Sequence, residues 1–240
     1  MGWLMREDRI VALERRVTLL VETFSGLVAY FGRRPAFRRF GQLEFHQETI
    51  AIRKSSGSAA HAIQNRDFRR GLYKTLQAWG IGSRGSRLVP FATFEHELQR
   101  LEGPITELEG SVIDAPDLEV GFVSERVWRV LSGLQIADNK ATLVPTTKAL
   151  HHLLPELVVP IDREYTQRFF GWHNPEFQSG QAACFAQAFE VFARVARAVD
   201  PEKYVGDGWN TSRTKVIDNA VVGLLLVADE LAREKSKSQT

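Results

Sequence analysis

The stretch after Gly180 constrains the fold more than any other part of the chain. Phe185, Ala188, Phe189, Phe192, Val195, Ala196 and Val199 recur at i, i+3, i+4 and i+7, which gathers them into one apolar stripe of an α-helix. Pro201 disfavours helical geometry in the residue before it, so this helix ends near Asp200.

Helical periodicity continues on both sides. Residues 211–232 repeat it through Val216, Ile217, Ala220, Val221, Leu224 and Val227, with Thr211 or Ser212 as N-cap. Ser124 is placed to cap a helix carrying Val127, Val130, Leu131 and Leu134. Pro145 fits the first turn of a short helix holding Lys148, Leu150, Leu153 and Leu154, and Pro155 stops it. Asp162 is the expected cap of the next helix, 163–170. The N-terminal half reads as helices over 8–31, 67–79 and 91–102. Strand signals are sparse: 157–161 is short and contains Pro160, and 111–123 has room for a small hairpin at most. The expectation is an all-α fold, one compact multi-helix domain over 1–232 with sub-lobes at 1–110 and 111–232. A polar, frayed tail is expected over 233–240.

Length and composition agree with a globular chain: 240 residues can bury a sizeable core, and 44% are hydrophobic. The single cysteine, Cys184, cannot form an internal disulfide, and its alanine and phenylalanine neighbours suit a buried, inert thiol. A lone cysteine points to a reducing compartment, and Glu7, Asp8 and Glu14 interrupt any signal-like apolar run, so a cytoplasmic location is expected. The longest apolar run, 220–228, falls far short of the roughly 20 residues a membrane helix needs, and no membrane partner is expected.

Net charge is only +2, but its placement is uneven. From Arg33 to Arg87 twelve Lys/Arg stand against three Asp/Glu, whereas from Glu95 to Glu125 nine acids stand against Arg100. The basic stretch is interleaved with Phe37, Phe40, Phe45, Phe68, Tyr73 and Trp79. Cations neutralise phosphates and rings stack on bases, so Arg69, Arg70, Lys74, Arg84 and Arg87 are candidate nucleic-acid contacts. The opposing reading is that the basic and acidic stretches face each other or simply solvate helices.

Several familiar templates are absent. Gly80-Ile81-Gly82-Ser83-Arg84-Gly85 spells the dinucleotide fingerprint, but a helix rather than a strand precedes it and no βαβ unit follows, so it reads as a loop after a helix stop at Gly80. Arg84 and Arg87 would let that loop hold a phosphate. No histidine spacing fits a metal, and adjacent His151 and His152 point about 100° apart on a helix. No cofactor and no metal are expected.

The stretch from Leu143 to Phe170 carries the most chemistry. Thr147-Lys148 lies on a short helix, and Pro160-Ile161-Asp162 follows in a turn. This arrangement resembles the catalytic segment of helix-hairpin-helix DNA glycosylases of the 8-oxoguanine type. The resemblance covers about 30 residues and implies an all-α, glycosylase-like fold. It implies that Lys148 is the amine that attacks the sugar carbon and forms a Schiff base, after burial lowers its pKa. It implies that Asp162 stabilises the cationic sugar or orients Lys148, and that the base is flipped into a pocket, with Trp79, Trp128 or Trp209 as stacking candidates. The chain departs from the family at Val144-Pro145-Thr146, where glycine amides are expected to hold a phosphate and Pro145 has none to donate.

Arg213 and Lys215 occupy the first turn of a helix, where a cation opposes the helix dipole. They are candidate anion ligands together with the helix N–H groups; the alternative is a surface pair between Lys215 and Asp218. Three functions remain open on these residues. One is a glycosylase-like DNA-binding protein, with or without retained chemistry. A second is a non-enzymatic helical protein or homo-oligomer that docks through Val17–Tyr30 and Val216–Leu231. The third is an enzyme acting on a small phosphorylated ligand through Arg84, Arg87, Arg213 and Lys215.

Overall fold

A computed structural model describes residues 7–82, 87–138 and 142–238. The chain is 70% helical, with 13 α-helices and no sheet among the described residues. The helices are α1 (Glu7–Glu22), α2 (Phe24–Arg33), α3 (Gln42–Ser55), α4 (Ala59–Gln64), α5 (Arg66–Ala78), α6 (Phe91–Arg100) and α7 (Glu102–Thr106). They continue as α8 (Val120–Gly133), α9 (Leu143–Leu153), α10 (Thr166–Phe170), α11 (Asn174–Ser179), α12 (Gln181–Val199) and α13 (Arg213–Lys237).

The stripe that periodicity marks is the buried face of α12: Phe185, Ala188, Phe189, Phe192, Val195 and Ala196 all lie in the core. It packs against α8, α11, α1 and α13. Residues from Leu13 to Leu225 join one continuous apolar cluster. At about 25 cal/mol per Å² of apolar surface removed from water, each large side chain in such a cluster contributes about 1.5–3 kcal/mol. Cys184 belongs to it, and burial pushes its thiol up to about 12, so it is unreactive at neutral pH. The apolar faces of α2 and α13, the docking candidates in the sequence, cover each other inside the same chain. They pack tightly at Gly223, where a Cβ would lie 2.6 Å from the Leu27 carbonyl oxygen.

Several sequence expectations need correction. The segment 111–123 forms turns over 111–119 and the start of α8 rather than a hairpin, with the Ile113 N–H donating to the Glu156 carbonyl 3.0 Å away. The only β feature among the described residues is an isolated antiparallel bridge between Leu88 and Ala137. Ser124 does not cap α8; it is buried inside that helix, which begins at Val120. Residues 233–237 are helical, because α13 runs on through good helix formers to Lys237. Helices α3 and α4 have no counterpart in the periodicity reading. No helix among the described residues is long and apolar enough to cross a membrane.

Candidate functional site

A local turn brings the sequence's two chemical residues together. The helix expected over 163–170 begins only at Thr166, with Tyr165 as its N-cap; Asp162 instead closes the turn 163–165 before it, its Oδ1 accepting from the N–H of Tyr165 (2.6 Å) and of Thr166 (3.2 Å). One residue earlier, the Ile161 N–H donates to Thr147 Oγ1 at 3.2 Å, which ties the turn to α9 beside Lys148. Lys148 and Asp162 therefore line the same cavity, of about 590 Å³. Its walls include Phe37, Trp79 and Tyr165, with Arg38, Arg39 and Arg163 also lining it.

A smaller space of about 30 Å³, about the size of one water, continues inward from the same residues. Phe37, Gln42, Trp79, Lys148 and Asp162 line both spaces, and Lys215 and Asp218 of α13 are added in the inner one. Lys215 is only 1% exposed. Its Nζ lies 2.5 Å from Asp218 Oδ2 and over three rings, at 5.1 Å from Phe37, 5.1 Å from Trp209 and 5.4 Å from Trp79. The start of α13 is pinned to place them there. Ser212 Oγ accepts from the Lys215 N–H, Arg213 N–H donates to Glu156, and Thr214 Oγ1 donates to the Pro155 carbonyl.

Behind Trp79 and Trp209 three buried histidines brace the site. His152 Nδ1 lies 2.7 Å from the Lys148 carbonyl, which can only accept, so Nδ1 carries the hydrogen and Nε2 its lone pair. That lone pair accepts from His46 Nδ1 at 2.9 Å, and His46 Nε2 in turn accepts from the Thr211 hydroxyl at 2.8 Å. His151 Nδ1 donates to the Val158 carbonyl at 2.9 Å, leaving its Nε2 buried without a partner among the described residues. Burial holds all three neutral: His46 and His151 fall well below the usual histidine value, and His152 falls to about 4. The Lys148 amine is also depressed by burial, against the pull of Asp162 and Asp218. The Asp218 carboxyl is raised by burial, against the pull of Lys215.

The other candidate cations are placed differently. Arg69 is buried, its Nε 3.0 Å from Glu95 and its guanidinium bonded to the Ile63 carbonyl. Arg213 is held by Asp114, Glu156 and Glu202. Arg53 pairs with Glu109 at 2.5 Å. The basic and acidic stretches thus meet through Arg53, Arg66 and Arg69, and part of the basic run is neutralised. Arg70, Lys74 and Arg87 are exposed, and Arg84 lies outside the described residues. Lys215 faces the cavity floor rather than solvent, so it and Arg213 do not form one anion site. Trp128 packs on Phe185, away from the cavity, whereas Trp79 lines it. Among the described residues no cluster of three His, Cys, Asp or Glu is placed to hold a metal.

Sequence reading named Phe37 only among the aromatics of the basic stretch and paired Lys215 with Asp218 at the surface, whereas that pair is buried; it did not single out His46 or the cage around Lys215. The one signal that pointed there was the unfavourable cation at the start of α13. No protein-family model matches the chain. Comparison with curated proteins and with solved structures returns no match either.

Proposed function

We propose that this chain binds nucleic acid and uses the Lys148 amine as a nucleophile on a sugar carbon, as a DNA glycosylase or lyase does. The observation that carries the reading is a half-buried lysine with a depressed pKa, sharing an inner space with Asp162 at the foot of a cavity lined by arginines and aromatic rings. A cavity of about 590 Å³ falls in the size range of small-molecule sites and can enclose one everted nucleotide. Arg38, Arg39 and Arg163 supply cations for the flanking phosphates, and Phe37 or Trp79 a face for the base.

In this reading Lys148 Nζ attacks C1′ with its lone pair. The glycosidic bond breaks, and the base leaves with the bonding pair and takes up a proton. Nζ then gives up a proton, the C1′–O4′ bond breaks with its pair on O4′, which takes that proton up, and the nitrogen lone pair closes a protonated C1′=N Schiff base that water hydrolyses. The Asp162 carboxylate stabilises positive charge on the sugar while that bond breaks.

The test is anisotropy of fluorescent duplex DNA, with and without an abasic site, at low and moderate salt. Binding that weakens steeply with salt and favours the abasic duplex is expected. Borohydride should then trap a covalent complex that Lys148→Ala abolishes. Absence of binding even at low salt would overturn the reading.

A further inference from the structure

The four charged groups of the inner space do not pair evenly. Asp218 is taken by Lys215, and Asp162 Oδ1 is taken by two backbone amides. Among the described residues Lys148 has no carboxylate oxygen within 4.0 Å, and its hydrogen bond is a long one, 3.4 Å to the Trp79 carbonyl. We propose that Lys215 is a positioning residue: by occupying Asp218 from inside an aromatic cage, it leaves Lys148 an unpaired amine able to attack an electrophilic carbon. The step it serves is the one proposed above, but the state of the amine is measurable without nucleic acid.

Stability alone does not account for a lysine at position 215. An ammonium removed from water is costly, and the first turn of a helix is the wrong end for a cation. An apolar residue of similar volume would fill the space among Phe37, Trp79 and Trp209 without that cost. What an apolar residue would not do is hold Asp218. Released from Lys215, this buried carboxylate would share about 30 Å³ with Lys148 and form the ion pair that keeps a proton on Nζ.

The other groups facing the site do not take this role. Asp162, Arg163 and Glu164 come from the turn before α10, and Arg38 and Arg39 from the loop before α3. His46, His151 and His152, on α3 and α9, are neutral. Of the carboxylates that raise Lys148, Asp218 is the one an opposing cation neutralises in place.

Competitive acetylation of the full chain with acetic anhydride, read at Lys148 by peptide mass spectrometry from about pH 6 to about pH 10, gives the midpoint of its titration. Lys215→Met is expected to raise that midpoint by about one unit, leaving about tenfold less free amine at neutral pH. Asp218→Asn removes an attracting carboxylate and is expected to lower it. The double variant Lys215→Met/Asp218→Asn should return it to or below the wild-type value. An unchanged midpoint in a folded Lys215→Met chain, or a double variant that stays high, overturns the proposal. If Lys215→Met does not fold, an Asp218→Asn midpoint at or above wild type overturns it. No nucleic acid is present, so these outcomes are separate from whether the duplex binds.

Discussion

Helices α12 and α3 are both largely buried on one face, yet they bury opposite chemistry. On α12 the inward positions are Phe185, Ala188, Phe189, Phe192, Val195 and Ala196. On α3 they are Gln42, His46, Thr49, Ile50 and Arg53, spaced by the same helical period but polar at all but one position. Each polar group finds a partner. Thr49 meets Thr75 at 2.9 Å, Arg53 Nε donates to the Leu153 carbonyl at 2.8 Å, and His46 links His152 to Thr211. The α12 side holds the chain together by apolar burial, which needs no particular partner. The α3 side holds the candidate site by hydrogen bonds, each of which requires one, and α3 supplies Gln42 to the cavity lining.

The largest test of this difference is acid. The unfolded chain takes protons on His46, His151 and His152 near pH 6.5, whereas the folded chain keeps them neutral to about pH 4 for His152 and well below 6.5 for the other two. Their stability contribution is fully present above about pH 6.5 and is lost as pH falls, by about 1.4 kcal/mol per pH unit for each histidine. The Asp218 carboxyl, raised by burial, acts in the opposite direction as it takes up a proton. Urea unfolding at about pH 7 and about pH 5 reads the net slope; a flat profile would show that the histidines are not held neutral.

Next in size is Phe192→Ala on α12. It should cost about 3–5 kcal/mol, read from the denaturation midpoint, because the ring is fully buried against Phe169 and Phe170. On α3, His46→Leu keeps the volume but strands His152 Nε2 and the Thr211 hydroxyl. It should cost about 1–3 kcal/mol and reduce the acid slope by the share of one histidine. A cost for His46→Leu as large as for Phe192→Ala would erase the distinction between the two faces. The smallest effect belongs to Phe40→Ser, just before α3. Phe40 is 97% exposed, so melting should shift by less than about 0.5 kcal/mol.

The same comparison explains what was legible beforehand. The α12 stripe, the buried positions of α13 and Pro145 in the first turn of α9 are written in residue type and spacing, whereas the helix expected over 163–170 starts only at Thr166 and Asp162 holds the turn before it. Helix α3 was not, because hydrophobic periodicity marks a buried face only when that face is apolar. Ser124 misled for a related reason: a residue that suits a cap also fits inside a helix when its hydroxyl is covered. Thr147-Lys148 and Pro160-Ile161-Asp162 were singled out as a chemical pair by the family resemblance alone; the Ile161–Thr147 contact that joins them belongs to the fold.

Lys215 marks the other boundary. Its place in the first turn of α13, three residues before Asp218, follows from the chain alone, and so does its conflict with the helix dipole. Local pattern thus determined an all-α chain, its main apolar helices and the turn at Asp162. Tertiary structure decided that Phe37, Trp79 and Trp209, far apart in sequence, would close around one ammonium. It also decided that Arg69 and Arg213 would be spent on acids while Arg38 and Arg39 line the cavity. The physical reason is range. Helix formation and capping act over a few residues, but the desolvation and pairing of a charge depend on whichever groups the packed core brings within a few ångströms.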